Sequence, residues 1–407
     1  MKDFNQIISV CKETTSISTK VVDDFLIYYA AAWNNLEYEM NRTFAAYKHI
    51  TQKFPKEWEN KLKAQYIAHK IFKDDGLIKK FLNHSALKRM NQEEMAYLKF
   101  QAENPWRFSF SIIKEKPFEN FYVMEDVFRG EEFLLYSPGV TNTLKSQPTI
   151  LWFNMIAFNG ACWQSYGPIG AYRSFEPDDI FFFATELNPE IEDEEDLASA
   201  LEIDPVPYMM LIAGANYPVI VNKKDQMVHA IAEYHLDNMD TKSLTRSFIT
   251  EYNNGVYRLS LKKWKEPPHF SQAYYDEDQK MIILSSMTDR GFKALAEGLN
   301  AYGYNFSPDP FVRVTLSMVI TASEILKRKI DLLRYENLFS KESTPVEKEN
   351  LDRLNKLLHL AMKDINAGRR PDIEAYARQA GVDPETARSV IGQALDRFKK
   401  MNKRRKT

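Results

Sequence analysis

Apolar side chains recur at spacings of three and four through the first hundred residues. Val22, Phe25, Leu26, Tyr29, Ala30, Trp33, Leu36 and Met40 form one such stripe, which predicts an amphipathic helix over Val21–Met40. Trp58, Leu62, Tyr66, Ile67 and Ile71 form a second and predict a helix over Lys56–Leu82. Asn91 followed by Glu94 has the spacing of a capping box, so a third helix is expected after Asn91. It should stop before Pro105, because the residue preceding a proline avoids the helical region.

From about residue 106 the pattern shortens to a period of two or to dense apolar runs. Phe121–Val127 and Glu132–Tyr136 flank Phe128-Arg129-Gly130-Glu131, which predicts a hairpin. Ile150–Phe158 and Ile180–Thr185 have the length and composition of strands. Apolar runs follow at Tyr208–Ala213 and Val219–Val221, with a helix expected around Gln226–Leu236. Residues 256–302 predict β-β-α: strands at Val256–Leu261 and Lys280–Leu284, then a helix capped by Thr288 or Asp289 that ends at Gly303. Val312–Leu338 returns to helical periodicity, and Lys341–Thr344 is a polar break before helices at about 345–366 and 372–401.

The expected class is therefore α+β. A helical region (1–102) precedes a central mixed α/β region with antiparallel strands (103–310), and a second helical region (311–407) closes the chain. Its 407 residues are 44% apolar and 27% charged, which is globular composition. Residues 1–20 carry no secretory apolar core, and no run of about 18 uncharged apolar residues occurs, so a cytoplasmic protein without a membrane span is expected.

Net charge changes this picture once it is divided along the chain. The whole carries −2, yet residues 369–407 hold eleven Lys and Arg against five acids, a local +6 that leaves −8 for residues 1–368. A basic end on an acidic body is an asymmetry suited to an anionic partner. Within that end, Ala377 lies on a short helix that Gly381 would terminate in the left-handed region. Asp383 would cap the next helix, Pro384 would occupy its first position and Glu385 its first turn. Ala387, Val390, Ile391 and Ala394 would face inward, and small Ala377 would let the two helices cross closely.

Ala377, Ala380-Gly381-Val382, Thr386, Val390 and Gln393-Ala394 make the segment 373–394 resemble the helix-turn-helix of the lac-repressor family. It departs from that family in lying at the C-terminus and in having Ala387 where a larger aliphatic residue is usual. The resemblance implies that the second helix enters the major groove, with Glu385, Thr386, Arg388, Ser389 and Gln393 nearest the bases. Lys399, Lys400, Lys403, Arg404, Arg405 and Lys406 would contact phosphates without reading sequence. Two-fold half-sites would suit a dimer. A second resemblance rests on Asn104-Pro105-Trp106 and on Met124-Glu125-Asp126-Val127-Phe128-Arg129-Gly130-Glu131-Glu132. These are similar to uncharacterised bacterial proteins that are sometimes joined to a SEC-C zinc tail, and residues 88–187 carry the likeness. It implies a small β domain and a bacterial origin; the zinc tail itself is missing.

Other chemistry is sparse. Residues 152–183 hold ten aromatics, which form either a sheet core or a pocket, and Trp163, Gln164, Tyr166 and Arg173 would line the pocket. Cys11 and Cys162 cannot build a disulfide framework or a four-thiolate zinc site, and Cys162, with no histidine beside it, reads as a small buried hydrophobe. His229 and His235, six apart on an expected helix, would fall on different faces and hold no metal. The glycines form no phosphate loop, and neither a Gly-x-Ser-x-Gly elbow nor a cooperating carboxylate pair occurs, so no cofactor and no catalytic motif are expected. The acidic stretch 186–204, with nine acids and no base, is either a solvated linker or a segment that competes with nucleic acid for the basic tail. Three functions stay open: nucleic-acid binding, with DNA favoured; a protein-interaction or scaffold role in which the two helices serve only packing, with a protein partner or a second copy; and an enzyme with a pocket near 152–183.

Overall fold

A computed structural model describes residues 3–215, 217–222, 224–264, 270–330, 332 and 334–339, and farther on 353–358, 360, 361, 364, 369 and 371–392. By its contacts the chain divides into two units, Met1–Tyr335 and Glu336–Thr407. Helices and strands are both abundant, so the class is mixed α+β.

Unit 1 opens with α1 (Phe4–Ser18), capped by Asp3, whose carboxylate accepts from Asn5 N at 3.0 Å. A π-helical stretch, Thr19–Leu26, buries Val21, Val22 and Leu26 and leads into α2 (Ile27–Trp33). The single helix expected over Val21–Met40 is broken at Asn34-Asn35. Asn35 adopts φ +58°, a left-handed conformation that asparagine tolerates, and α3 (Leu36–Ala46) follows at a new angle. After α4 (Lys48–Thr51), α5 (Lys56–Phe72) also ends earlier than expected, because Lys73 is extended and Asp75 has φ +53°. Gly76 permits that turn: a Cβ there would lie 2.4 Å from the Ile71 carbonyl. Beyond α6 (Ile78–Phe81), α7 (Gln92–Glu103) has the anticipated capping box and stops short of Pro105.

A closed five-stranded barrel comes next: β1 (Arg107–Phe118), β2 (Phe121–Asp126), β3 (Glu131–Tyr136), β4 (Leu151–Phe158) and β5 (Trp163–Tyr172). Its strand order is β1-β2-β3-β5-β4, β3 and β5 run parallel, and α8 (Pro138–Ser146) lies between β3 and β4. That arrangement is the Greek-key barrel of the OB type. Alternation along each strand sorts the side chains. Tyr122, Met124, Phe133, Leu135, Trp152 and Ile156 fill the lumen, while Phe108, Phe110, Phe153 and Met155 face outward into the larger core built with the N-terminal helices. Ser109 and Asn154 are directly paired and buried in the lumen, and their side chains make no hydrogen bond among the described residues.

The run Ile180–Thr185, expected as a strand, is the middle of α9 (Pro177–Leu187). A capping box between Glu176 and Asp179, with Pro177 at the first helical position, starts a helix there, and Ile180, Phe183 and Ala184 form its buried face. The acidic stretch is not a free linker: it contains α10 (Glu194–Ile203), capped by Asp193, whose Leu197 and Leu201 are buried in the main core. α11 (Val206–Met210) follows.

The rest of unit 1 is a short hairpin, β6 (Val221–Asn222) with β7 (Asp225–Gln226), and a six-stranded antiparallel sheet. That sheet comprises β8 (Val228–His235), β9 (Phe248–Asn253), β10 (Val256–Leu261), β11 (Gln272–Asp276), β12 (Met281–Ser286) and β13 (Val312–Thr315), in the order β13-β8-β12-β11-β10-β9. Between β8 and β9 lies α12 (Thr241–Leu244). The helix expected around Gln226–Leu236 is thus strand β8, with Val228, Ala230 and Ala232 on the face that packs against α13 (Asp289–Asn300). Thr288 is the residue that caps α13, accepting from Gly291 N at 3.0 Å. The helix expected from Val312 starts only at α14 (Leu316–Leu326), because Val312–Thr315 pairs with β8 as an edge strand.

Candidate nucleic-acid interface

In unit 2, Asp372 caps the helix Ile373–Ala380 by accepting from Ala375 N at 3.0 Å. Gly381 ends it with φ +69°, and Val382 N donates to Ala377 O at 3.0 Å, a Schellman-type closure. Asp383 restarts the chain as a helix over 384–392, accepting from Glu385 N at 3.0 Å and Thr386 N at 2.9 Å. Hydrogen bonds from the Thr386 side chain and backbone hold the Asp383 carboxyl below its ordinary range. Ala377, Ala380, Ala387 and Ile391 pack with Leu357 and Ala361, so the small residue at 387 is matched by small residues opposite it.

Of the expected base-reading residues, Glu385, Thr386, Arg388 and Ser389 are exposed together on the second helix. Arg388 donates to Glu374 at 2.6 Å, and both side chains are more than half exposed, so the pair is readily exchanged for another anion. Gln393, Lys399, Lys400, Lys403, Arg404, Arg405 and Lys406 lie outside the described residues, as do Lys341–Thr344 and parts of the helices expected at 345–366 and 372–401.

Trp163, Gln164, Tyr166 and Arg173 do not converge on one pocket in unit 1. Trp163 lines a cleft of about 790 Å³ with Lys73, Arg107 and Arg129, its ring lying under the Arg107 guanidinium. Gln164 and Tyr166 meet at a void of about 100 Å³. Arg173 instead donates to Gln147 at 2.7 Å. Sequence periodicity missed two features. One is a partly buried ionic network: Glu202 accepts from Arg129 at 3.0 Å and contacts His69 Nε2 at 2.8 Å, and Arg129 reaches the fully buried Asp126 at 3.3 Å. Burial lowers the affinity of His69 for a proton despite Glu202. The other is a cavity of about 990 Å³ between α2, α3, α5 and the β5 side of the barrel. Tyr166 donates a short hydrogen bond to Asp23 at its wall, and burial raises the Asp23 carboxyl above its ordinary range. Asp23 makes no ion pair among the described residues, and Tyr28 and Trp58 present rings to the same space. None of this was legible beforehand, because its parts come from positions 23 to 169.

The outer face of β2–β3 is the surface that OB-type barrels offer to oligonucleotides. Here α1 lies on it: Phe4 stacks on Phe118 at 5.2 Å and meets Phe121 at 5.0 Å, and Ile7 and Ile8 pack with Leu134 and Tyr136. His229 and His235 share a strand face, but His229 is buried whereas His235 is exposed beside Asp237. Among the described residues no group of three or more His, Cys, Asp or Glu is placed to hold a metal, and no helix is long and apolar enough to cross a membrane. No protein-family model, curated protein or solved structure matches the chain.

Proposed function

We propose that the protein binds DNA through unit 2, with the helices Ile373–Ala380 and 384–392 acting as a helix-turn-helix. One observation carries the reading: a Gly381–Asp383 turn sets a short second helix whose outward residues Glu385, Thr386, Arg388 and Ser389 are all exposed, and in the sequence a strongly basic chain end follows it. The barrel is the weaker candidate for the same role, since α1 covers its β2–β3 face. Selection of bound sequences from a random DNA pool, with the full chain and with 369–407 deleted, tests the proposal. Enrichment of one motif that the deletion abolishes supports it; equal recovery with both proteins refutes it. Arg388→Ala should change the preferred sequence, while Lys403→Ala should weaken all sequences alike and flatten the salt dependence.

A second reading concerns unit 1. The 990 Å³ cavity has the size of a small-molecule site, and a half-buried carboxylate that makes no ion pair among the described residues, beside two aromatic rings, suits an organic cation. Saturable binding of phenyltrimethylammonium that Asp23→Asn abolishes would support this; no saturation would end it.

A further inference from the structure

The chain has two cysteines, 151 positions apart, and the fold brings them together: Cys11 Sγ and Cys162 Sγ are 3.4 Å apart, and both are free and buried. Each sulfur is placed by local structure. Cys11 continues the apolar stripe of α1 one turn beyond Phe4, Ile7 and Ile8, so the face that docks on the barrel carries the thiol with it. Cys162 ends the β4–β5 turn. Asn159 builds that turn, accepting from Ala161 N at 2.9 Å and Cys162 N at 2.8 Å, and Gly160 supplies φ +91°. The Asn159 amide then donates to Cys11 Sγ at 3.3 Å and to Gln164 at 2.8 Å. Gln164 in turn donates to the Cys11 carbonyl at 3.1 Å and to Thr15 at 3.1 Å. Helix and turn are therefore stitched on both sides of the sulfur pair, which restricts their separation to side-chain rotation.

We propose that Cys11 and Cys162 form a peroxide-oxidisable dithiol, a covalent modification site at which a disulfide fastens α1 to the β4–β5 turn. The environment divides the roles. The hydrogen bond from Cys162, with that of Asn159, draws the Cys11 thiol below its ordinary range, while the same contact and burial push Cys162 up. The Cys11 thiolate attacks one oxygen of hydrogen peroxide. The S–O bond forms, the O–O bond breaks, and the departing hydroxide takes a proton to leave as water. The Cys162 sulfur, giving up its proton, then attacks the sulfenic sulfur. The S–S bond forms, the S–O bond breaks, and the hydroxyl leaves with that proton as a second water. Two electrons pass from the thiols to the peroxide. Small oxidants suit the site because both sulfurs lie beneath α1 against Phe121, Leu134 and Tyr136, out of reach of bulky reagents.

Tryptic mapping of the full-length protein without reductant tests this. After stoichiometric peroxide, the peptides 3–12 and 146–173 should appear as one linked species. Both titratable thiols should be lost on unfolding, the chain should stay monomeric on a non-reducing gel, and dithiothreitol should reverse the change. Cys162→Ser should stop at the sulfenic acid, trapped on peptide 3–12 by dimedone present while the oxidised protein is unfolded. Two results would overturn the proposal: both thiols still titrating free after peroxide has oxidised methionines, or oxidation of either cysteine to sulfinic acid with no linked species. The wild-type map decides the matter even if a variant fails to fold.

Discussion

Asp179 and His229 are buried titratable groups of unit 1 whose effects on stability oppose each other across mildly acidic pH. Asp179 is 1% exposed at the start of α9. Its carboxylate accepts from Thr315 N at 2.6 Å, from Thr315 Oγ1 at 3.0 Å and from Glu176 N at 2.8 Å. Burial outweighs these bonds and pushes its carboxyl up to about 6, the nearby Glu176 charge adding to the rise. An acid raised in the folded state contributes stability that is full below the unfolded value of 3.8 and lost as pH rises through 6. That difference corresponds to about 3 kcal/mol. His229 in β8 is 3% exposed, and burial pulls it down to about 4 against a hydrogen bond with the Leu332 backbone. A base lowered in the folded state contributes stability that is full above 6.5 and lost as pH falls through 4, again about 3 kcal/mol. Between these limits the two contributions nearly cancel. Asp179→Asn removes one of them. Measured by urea unfolding at a series of pH values between 6.5 and 4, the variant should lose about 2 kcal/mol more than the parent on acidification. His229→Asn should do the opposite, gaining on the parent by a similar amount. A stability difference between Asp179→Asn and the parent that is the same at every pH would refute the assignment.

Arg129→Ala should destabilise unit 1 by about 3 kcal/mol, since it strands the fully buried Asp126; Arg129→Lys should not rescue it, because one ammonium cannot reach Asp126, Glu202 and the Phe108 carbonyl together. The fall in Tm checks both. Gly214→Ala should also lower Tm, at a cost of about 2 kcal/mol, because its Cβ would sit 2.5 Å from Thr321 Oγ1 and 2.6 Å from Phe175 Cζ. Gly381→Ala should cost the C-terminal unit about 1 kcal/mol through the left-handed φ of +69°, read from amide exchange in Ile373–Ala380, and under the proposed function it should also weaken DNA binding.

Signals confined to a few neighbouring residues were legible in the sequence. The Asn91–Glu94 capping box, the hairpin from Phe121 to Tyr136 and the capped helix after Thr288 each follow from chemistry within one turn, and each stands where expected. Two of the misread segments show where periodicity runs out. Ile180-Phe-Phe-Phe-Ala-Thr185 is a continuous apolar run, which a buried helix and a buried strand share; the deciding signal was Glu176-Pro177-Asp178-Asp179 just before it. His229-Ala-Ile-Ala-Glu-Tyr-His235 is rich in alanine, a helix former, yet its pairing with β12 and β13 on both sides makes it a central strand. Tertiary context overrode propensity there. Barrel closure rests on two register pairs, Leu135–Trp163 and Tyr136–Gln164, that no local pattern announces. The same parallel pairing sets Cys162 beside the face that receives α1, and so beside Cys11. Two thiols judged chemically idle one at a time acquire a common chemistry only through that closure. Cysteine spacing along the chain could not have revealed it, because loop-closure entropy grows only logarithmically with separation, and contact between residues 151 apart is decided by the fold between them.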